Sequence, residues 1–221
     1  MIETVAIDMM LMHYAAGSLG PYESLVVAAH LSLNPDARKK MSRYEAEGGR
    51  LINKASPSPV TQACLESVLQ RIDNPREESK AQHKTLPDGL TLPQAIATLL
   101  SKNCAENPRC WSKVAQGIET IELRICTSEP RQRKLRLMRL APHQQTPLHR
   151  HAGREITLVL EGGFSDQTGH YKKGDLIVIN DPSLIHNPRA DDTGCLSLCL
   201  TEAPLRFTDP FTQMINLLRR L

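Results

Sequence analysis

The spacing of apolar residues changes once along the chain. As far as Ile72 they recur at helical intervals; from Trp111 onward they fall into short alternating or continuous apolar runs separated by Gly and Pro. In the first part, the residues that start and stop helices predict four of them. Asp8 reads as the N-cap of Met9 to Ala16, with Gly17 as its stop. Pro21 suits the first turn of a second helix, Tyr22 to about Leu33. Asn34 caps a third, with Pro35 at its first position and Gly48-Gly49 at its end. Ser56-Pro57-Ser58-Pro59 reads as a stiff linker, and Val60, Cys64, Val68 and Ile72 form the stripe of a fourth helix. Met9-Met10-Leu11-Met12 cannot all turn inward, because successive helical side chains point about 100° apart. At least one of them faces a partner or solvent.

Residues 74–90, with Asn74-Pro75-Arg76-Glu77-Glu78-Ser79-Lys80, are polar and read as an interdomain linker. Thr91 to Cys104 reads as a helix with Pro93 in its first turn. Ile118–Ile125, Leu135–Leu140, Ile156–Leu160, Leu176–Ile179 and Leu196–Leu200 read as strands, and Pro210 to Leu221 as a closing helix striped by Phe211, Ile215, Leu218 and Leu221. The expected fold class is multidomain α plus β: a helical bundle over 1–73, the linker 74–90, and a β-barrel domain over 91–221.

Composition narrows this picture only slightly. A formal charge of +3 over 221 residues does not argue for nucleic acid. Arg131, Arg133, Lys134, Arg136 and Arg139 cluster, but without interleaved aromatic residues they read as a solvated loop and strand start. No apolar run approaches a membrane span. The first residues lack the basic start of an export signal. The six Cys show no C-x-x-C spacing, so they read as reduced thiols of a cytoplasmic protein. The oligomeric state stays open, a homodimer included.

The candidate chemistry lies between His149 and His186. His149 and His151 are two apart, which puts them on one face of a strand. Glu155 shares their parity, although Gly153 can interrupt the strand between them. His186 follows the β-rich run Leu176–Ile179. Three imidazoles and a carboxylate converging inside a barrel make a site for a divalent first-row metal. The spacing of His149, His151, Glu155 and Gly162 resembles the first signature of the cupin superfamily, and Gly174, Pro182 and His186 resemble the second. This resemblance implies a double-stranded β-helix, or jelly-roll, with these three His and Glu155 as metal ligands.

A second resemblance covers both halves. His13 to Leu19, Leu25 to Leu33, Leu158 to Asp166 and Gly169 to Asp175 look like the ChrR family of anti-sigma factors. That family implies a helical anti-sigma domain that binds an extracytoplasmic-function sigma factor, followed by a cupin that senses a signal. It also implies zinc in the cupin, although iron, manganese or nickel suits the same ligand types. The family's N-terminal zinc motif is degenerate here: His30 matches it, but Asn34 and Ala37 stand where two Cys belong and Val5 where an upstream His belongs. Zinc is therefore not expected in the helical part, with His13 and Asp36 as the other groups able to complete a site. Asn34 has a sufficient role as a helix cap. The alternative is an enzyme, a metal-dependent dioxygenase cleaving a small diketone or acylphenol, with His143 or His170 as the candidate general base. Fold alone does not separate the two readings.

Overall fold

The computed structural model describes residues 4–74, 84–85, 91–103, 111–125 and 133–207. Four helices come first: α1 (Thr4–Ala15), α2 (Pro21–Leu33), α3 (Pro35–Lys54) and α4 (Gln62–Asp73). A short hairpin of β1 (Lys84–Thr85) and β2 (Thr91–Leu92) leads to α5 (Gln94–Asn103). The strands follow as β3 (Ser112–Ala115), β4 (Ile118–Leu123), β5 (Lys134–Leu140), β6 (His149–His151), β7 (Glu155–Asp166), β8 (Gly169–Lys172), β9 (Leu176–Ile179), β10 (Arg189–Thr201) and β11 (Leu205–Phe207). The closing helix expected over 210–221, and most of the expected linker, lie outside the described residues.

Several predicted boundaries hold at the atomic level. Asn34 Oδ1 accepts from the amides of Asp36 and Ala37, both at 3.0 Å, and caps α3. Gly17 ends α1 with φ at 66°, the left-handed conformation that glycine adopts at low cost. Other boundaries shift. Helix α1 starts at Thr4, so Asp8 is not its cap; the Asp8 carboxylate instead accepts from Lys40 Nζ of α3 at 2.7 Å. Helix α3 runs through Gly48-Gly49 to Lys54. Interior glycines cost a helix about 1 kcal/mol each but do not break it, and the stop comes where Ala55 and Ser56 approach Pro57. Helix α4 is capped by Thr61, whose hydroxyl accepts from Cys64 N, which leaves Val60 outside it.

The main sheet is antiparallel, in the order β3-β4-β5-β10-β7-β8, with β9 also on β7; β6 and β11 form a separate pair. Strands β7 and β10 exceed the predicted strands because they run through a bulge. Gly162 sits at that bulge with φ at 66°, where an added Cβ would meet the carbonyl oxygen of Gly194 at 2.0 Å. Only glycine fits there.

Along β9, the first half of β7 and the second half of β10, both faces of the sheet are buried, and they differ. Leu135, Leu137, Ile156, Leu158, Leu198 and Leu200 form one face, packed in a single core with Met10, Leu11, Val26 and Val27 of α1 and α2 and Ile96 of α5. The opposite face alternates with it and carries Glu155, Thr157, Ser197 and Cys199, then Val159, Ile177 and Cys195 of a second apolar cluster. Helices and sheet thus share a core, and the continuous apolar run in β7 follows from burial on both sides. Of the four consecutive apolar residues in α1, Met10 and Leu11 are buried while Met9 and Met12 are about half exposed, at 51% and 46%.

Candidate metal centre

Strand β6 buries His149 and His151 and exposes Arg150 between them, as a period of two requires. The chain then turns through Ala152–Arg154 and re-enters the sheet at Glu155, the first residue of β7. The turn packs closely: a Cβ on Gly153 would lie 3.2 Å from that of Ala203 and 3.3 Å from that of Glu202. His186 arrives on the loop between β9 and β10. Its backbone exchanges two hydrogen bonds with His149, at 2.9 and 3.0 Å. Strand β6, the start of β7 and this loop therefore bring together all four residues singled out by spacing.

One ligand atom from each of His149, His151, Glu155 and His186 lies within 4.8 Å of the others, and all four side chains are buried. The hydrogen bonds around them assign the ring tautomers. His149 Nδ1 donates to the carbonyl of Pro147 at 2.7 Å, leaving its Nε2 a lone pair. His186 Nδ1 donates to Asp166 Oδ2 at 3.0 Å, so its Nε2 is likewise a lone pair. That nitrogen stands 3.0 Å from His151 Nε2, which also abuts Glu155 Oε2. His151 Nδ1 is buried without a hydrogen-bond partner, and Glu155 Oε2 is buried with the His151 Nε2 contact beside it. The His186 Nε2 lone pair, His151 Nε2 and Glu155 Oε2 crowd one centre, so a proton on His151 Nε2 or a bound cation has to lie among them. Three imidazole nitrogens and one carboxylate oxygen fit a divalent first-row ion in type and number. An ion bound there would supply the positive charge on which these donors converge.

The titration of the site suits a ligand set. Burial pushes His149 down, further than the Pro147 hydrogen bond raises it, to about 4. Burial alone would raise Glu155, but the hydrogen bond from His151, the imidazoles gathered beside it and the Thr157 hydroxyl hold it at about 2. Both groups are thus in their ligating forms near neutral pH.

An outer shell supports the ligands, and spacing alone did not reveal it. Thr157 Oγ1 donates to Glu155 Oε1 at 2.7 Å. Asp166 Oδ1 accepts from Thr168 N at 2.8 Å and Thr168 Oγ1 at 2.5 Å, and the Tyr171 hydroxyl lies 2.8 Å from that Oγ1. Burial would raise the Asp166 carboxyl, but the hydrogen bonds from His186 and Thr168 keep it below the usual range. Parity along β7 held a signal for Thr157, which shares Glu155's face. Asp166 showed none, because its link to His186 depends on a loop. Burial pushes the thiols of Cys195 and Cys199 up to about 12 and about 11, so they are protonated and poorly nucleophilic.

The other sequence candidates lie elsewhere. His30 is buried in α2, and its Nδ1 donates to the carbonyl of Gly174 at 3.0 Å. Asn34 Nδ2 reaches the same oxygen at 3.3 Å. His13 pairs with Ser18 and Asp36 with Lys39, both at the surface. His143 and His170 are exposed, next to Asp192 and Ser165 respectively. Among the described residues, the barrel set is the group of His, Cys, Asp and Glu able to hold an ion. In the basic cluster, Arg133 pairs with Glu23 and Glu202, Lys134 with Glu122 and Arg139 with Glu119, and Arg139 also stacks 4.2 Å from the ring centre of Trp111. Arg131 lies outside the described residues. Among those described, no helix is long and apolar enough to cross a membrane.

Comparison with known proteins accords with this arrangement. Residues 103–203 match the family described as the ChrR Cupin-like domain. The anti-sigma-E factor ChrR of Cereibacter sphaeroides is 32% identical over 210 residues, which span 95% of this chain and 94% of that protein. The crystal structure of Rhodobacter sphaeroides SigE in complex with the anti-sigma ChrR matches with a TM-score of 0.64 and 29% identity, over 88% of this chain and 96% of that one. An acetylacetone dioxygenase from Acinetobacter johnsonii is more distant, with a TM-score of 0.41 and 14% identity over 48% of this chain and 76% of that one. With helices α1, α2 and α5 packed on a barrel that carries the His149–His151–Glu155–His186 set, the chain belongs to the ChrR family of anti-sigma factors, and its barrel is a cupin.

Proposed function

We infer that this protein restrains an extracytoplasmic-function sigma factor in the cytoplasm through its helical part, residues 1–73, and responds to a stress signal through its cupin, residues 91–221. The observation that carries the docking surface is α4. Leu65, Val68, Leu69 and Ile72 recur at i, i+3, i+4 and i+7, the stripe of an amphipathic helix, yet all four are 45–65% exposed and no residue of α4 is buried. A 12-residue helix without packing partners is marginal in water. Leu51 and Ile52 near the end of α3 are exposed as well. Such a helix is suited to lie in an apolar groove of a partner, and the family relation supports a sigma factor as that partner. In the cupin, the four ligands suit zinc. The helical part holds His30 in a hydrogen bond to Gly174, which supports a bundle that folds without a zinc ion of its own.

Co-purification of the full chain with extracytoplasmic-function sigma factors of the same organism tests the reading. The wild type should form a stable complex with one of them. Leu69→Asp, at an exposed position that the fold does not need, should weaken it at least about 30-fold, the loss expected of one hot-spot side chain. Failure of the wild type to bind any of them would remove the anti-sigma assignment. An undiminished complex with the Asp variant would move the contact away from α4.

A further inference from the structure

Helix α2 is tied to the cupin at both ends, and only one of the ties lies beside the metal ligands. At its start, Glu23 is a buried carboxylate, 3% exposed. Glu23 Oε1 accepts from Arg154 Nη2 at 2.8 Å and lies 3.0 Å from Arg133 Nη1. Both guanidiniums also reach Glu202 Oε1, Arg154 Nη2 at 2.8 Å and Arg133 Nη2 at 3.2 Å. Two cations and two anions thus form a closed cluster, with one anion from α2 and the other three members from the cupin. A buried carboxylate stripped of its partners is strongly disfavoured, so α2 holds this seat only while the guanidiniums are in place.

The position of Arg154 gives this cluster a second meaning. It is bonded directly to Glu155, the one carboxylate of the metal set, and its carbonyl accepts from Glu202 N at 3.1 Å. Glu155 in turn pairs with Thr201, the residue before Glu202. A displacement of Glu155 therefore moves both Arg154 and Glu202. At its other end α2 is held by His30 and Asn34 on the carbonyl of Gly174, in the turn between β8 and β9. No metal ligand adjoins that turn.

We propose that Arg154 couples the cupin metal centre to helix α2: the occupied site holds the guanidinium on Glu23, and loss or rearrangement of the Glu155 ligand loosens the start of α2 while the His30 end stays anchored. This rests on the anti-sigma reading for its biological purpose, but not for its test. The coupled element is the seat of Glu23, which both the metal site and the helix bias.

Hydrogen exchange of the full chain, zinc-loaded and chelated, reads the coupling without any sigma factor. In the wild type, chelation should speed exchange of the Ser24–Ala28 amides about tenfold, within the usual span of intersite coupling, while β10 stays protected. In Arg154→Gln the same amides should exchange fast with or without zinc, at unchanged zinc content. Arg154→Lys keeps the charge but loses the fork that reaches two carboxylates; it should show the same uncoupling and serves if the Gln variant does not fold. His30→Leu should leave the zinc dependence at the start of α2 intact. The proposal is overturned if wild-type α2 ignores chelation, if β10 loosens together with it, or if the Arg154 variants keep the zinc dependence. A wild type that shows the response yet binds no sigma factor would sink the anti-sigma reading and leave the coupling standing.

Discussion

Two buried histidine environments sit on either side of the interface between helices and cupin, and they differ in what their nitrogens face. In the cupin, His149 and His186 each donate through Nδ1, to Pro147 and Asp166, and so turn a lone pair toward a shared centre. His30 spends its Nδ1 on the carbonyl of Gly174. The first pattern holds rings for a cation by hydrogen-bonding their far sides. The second satisfies one backbone acceptor and joins two elements. His30 thus fills a role that needs only one donor. With Asn34 capping α3 and reaching the same carbonyl, His30 and Asn34 fasten α2 and α3 to the cupin.

The sharpest way to break this contrast is to remove a ligand. His186→Ala should lower zinc affinity more than about 100-fold, because outer-shell losses alone span roughly 10–100-fold. Competition with a chromophoric chelator measures it, and wild-type affinity in the variant would exclude His186 from the site. Next comes Asp166→Asn, which keeps the shape but weakens the charged acceptor that fixes the His186 tautomer. Its expected cost is roughly 10–100-fold in zinc affinity, with circular dichroism unchanged. An affinity equal to wild type would mean that the His186 ring is held by its backbone bridge alone.

How much of this was legible in the sequence follows from how local each feature is. The grouping of His149, His151, Glu155 and His186 was readable because the H-x-H pair and Glu155 are fixed by strand parity and a short turn, and His186 by the loop that follows a strand. Asn34 as a cap was readable for the same reason, since its acceptors are the amides of Asp36 and Ala37. The start of α1 was misread because Asp8, a good local cap, has a better partner 32 residues away in Lys40. Gly48-Gly49 misled because glycine in a solvated helix is a modest cost rather than a stop. Strands β8 and β11 are too short to show a period. Asp166 and the Glu23–Arg133–Arg154–Glu202 cluster escaped altogether: their members are brought together by packing, and side chains 20 to 131 residues apart leave no spacing to read. The shared core was hidden likewise. Leu158 and Leu198 announce burial, but not that α1 and α2 cover them.

The smallest expected effect belongs to His30, and it separates the two environments by pH. His30→Leu keeps most of the volume and removes the donor to Gly174. Asn34 still reaches that oxygen, at 3.3 Å, so the acceptor is not orphaned and the loss should be near about 1 kcal/mol. Zinc content should not change. Burial is the main force on the His30 titration and lowers it, against smaller upward pulls from the Gly174 hydrogen bond and the Asp175 charge. The ring is therefore neutral in the fold at pH values where the unfolded chain already protonates it. With the folded value below the unfolded one, stability is fully present above about 6.5 and declines as pH falls through that value toward the lower, folded one. Urea unfolding of the zinc-loaded protein at several pH values should give a shallower acid decline for His30→Leu than for the wild type. Parallel curves would show that His30 titrates alike in both states, and that its burial does not hold the ring neutral. Zinc lost together with the His30 hydrogen bond would erase the distinction between the two environments, since His30 would then belong to a metal site after all.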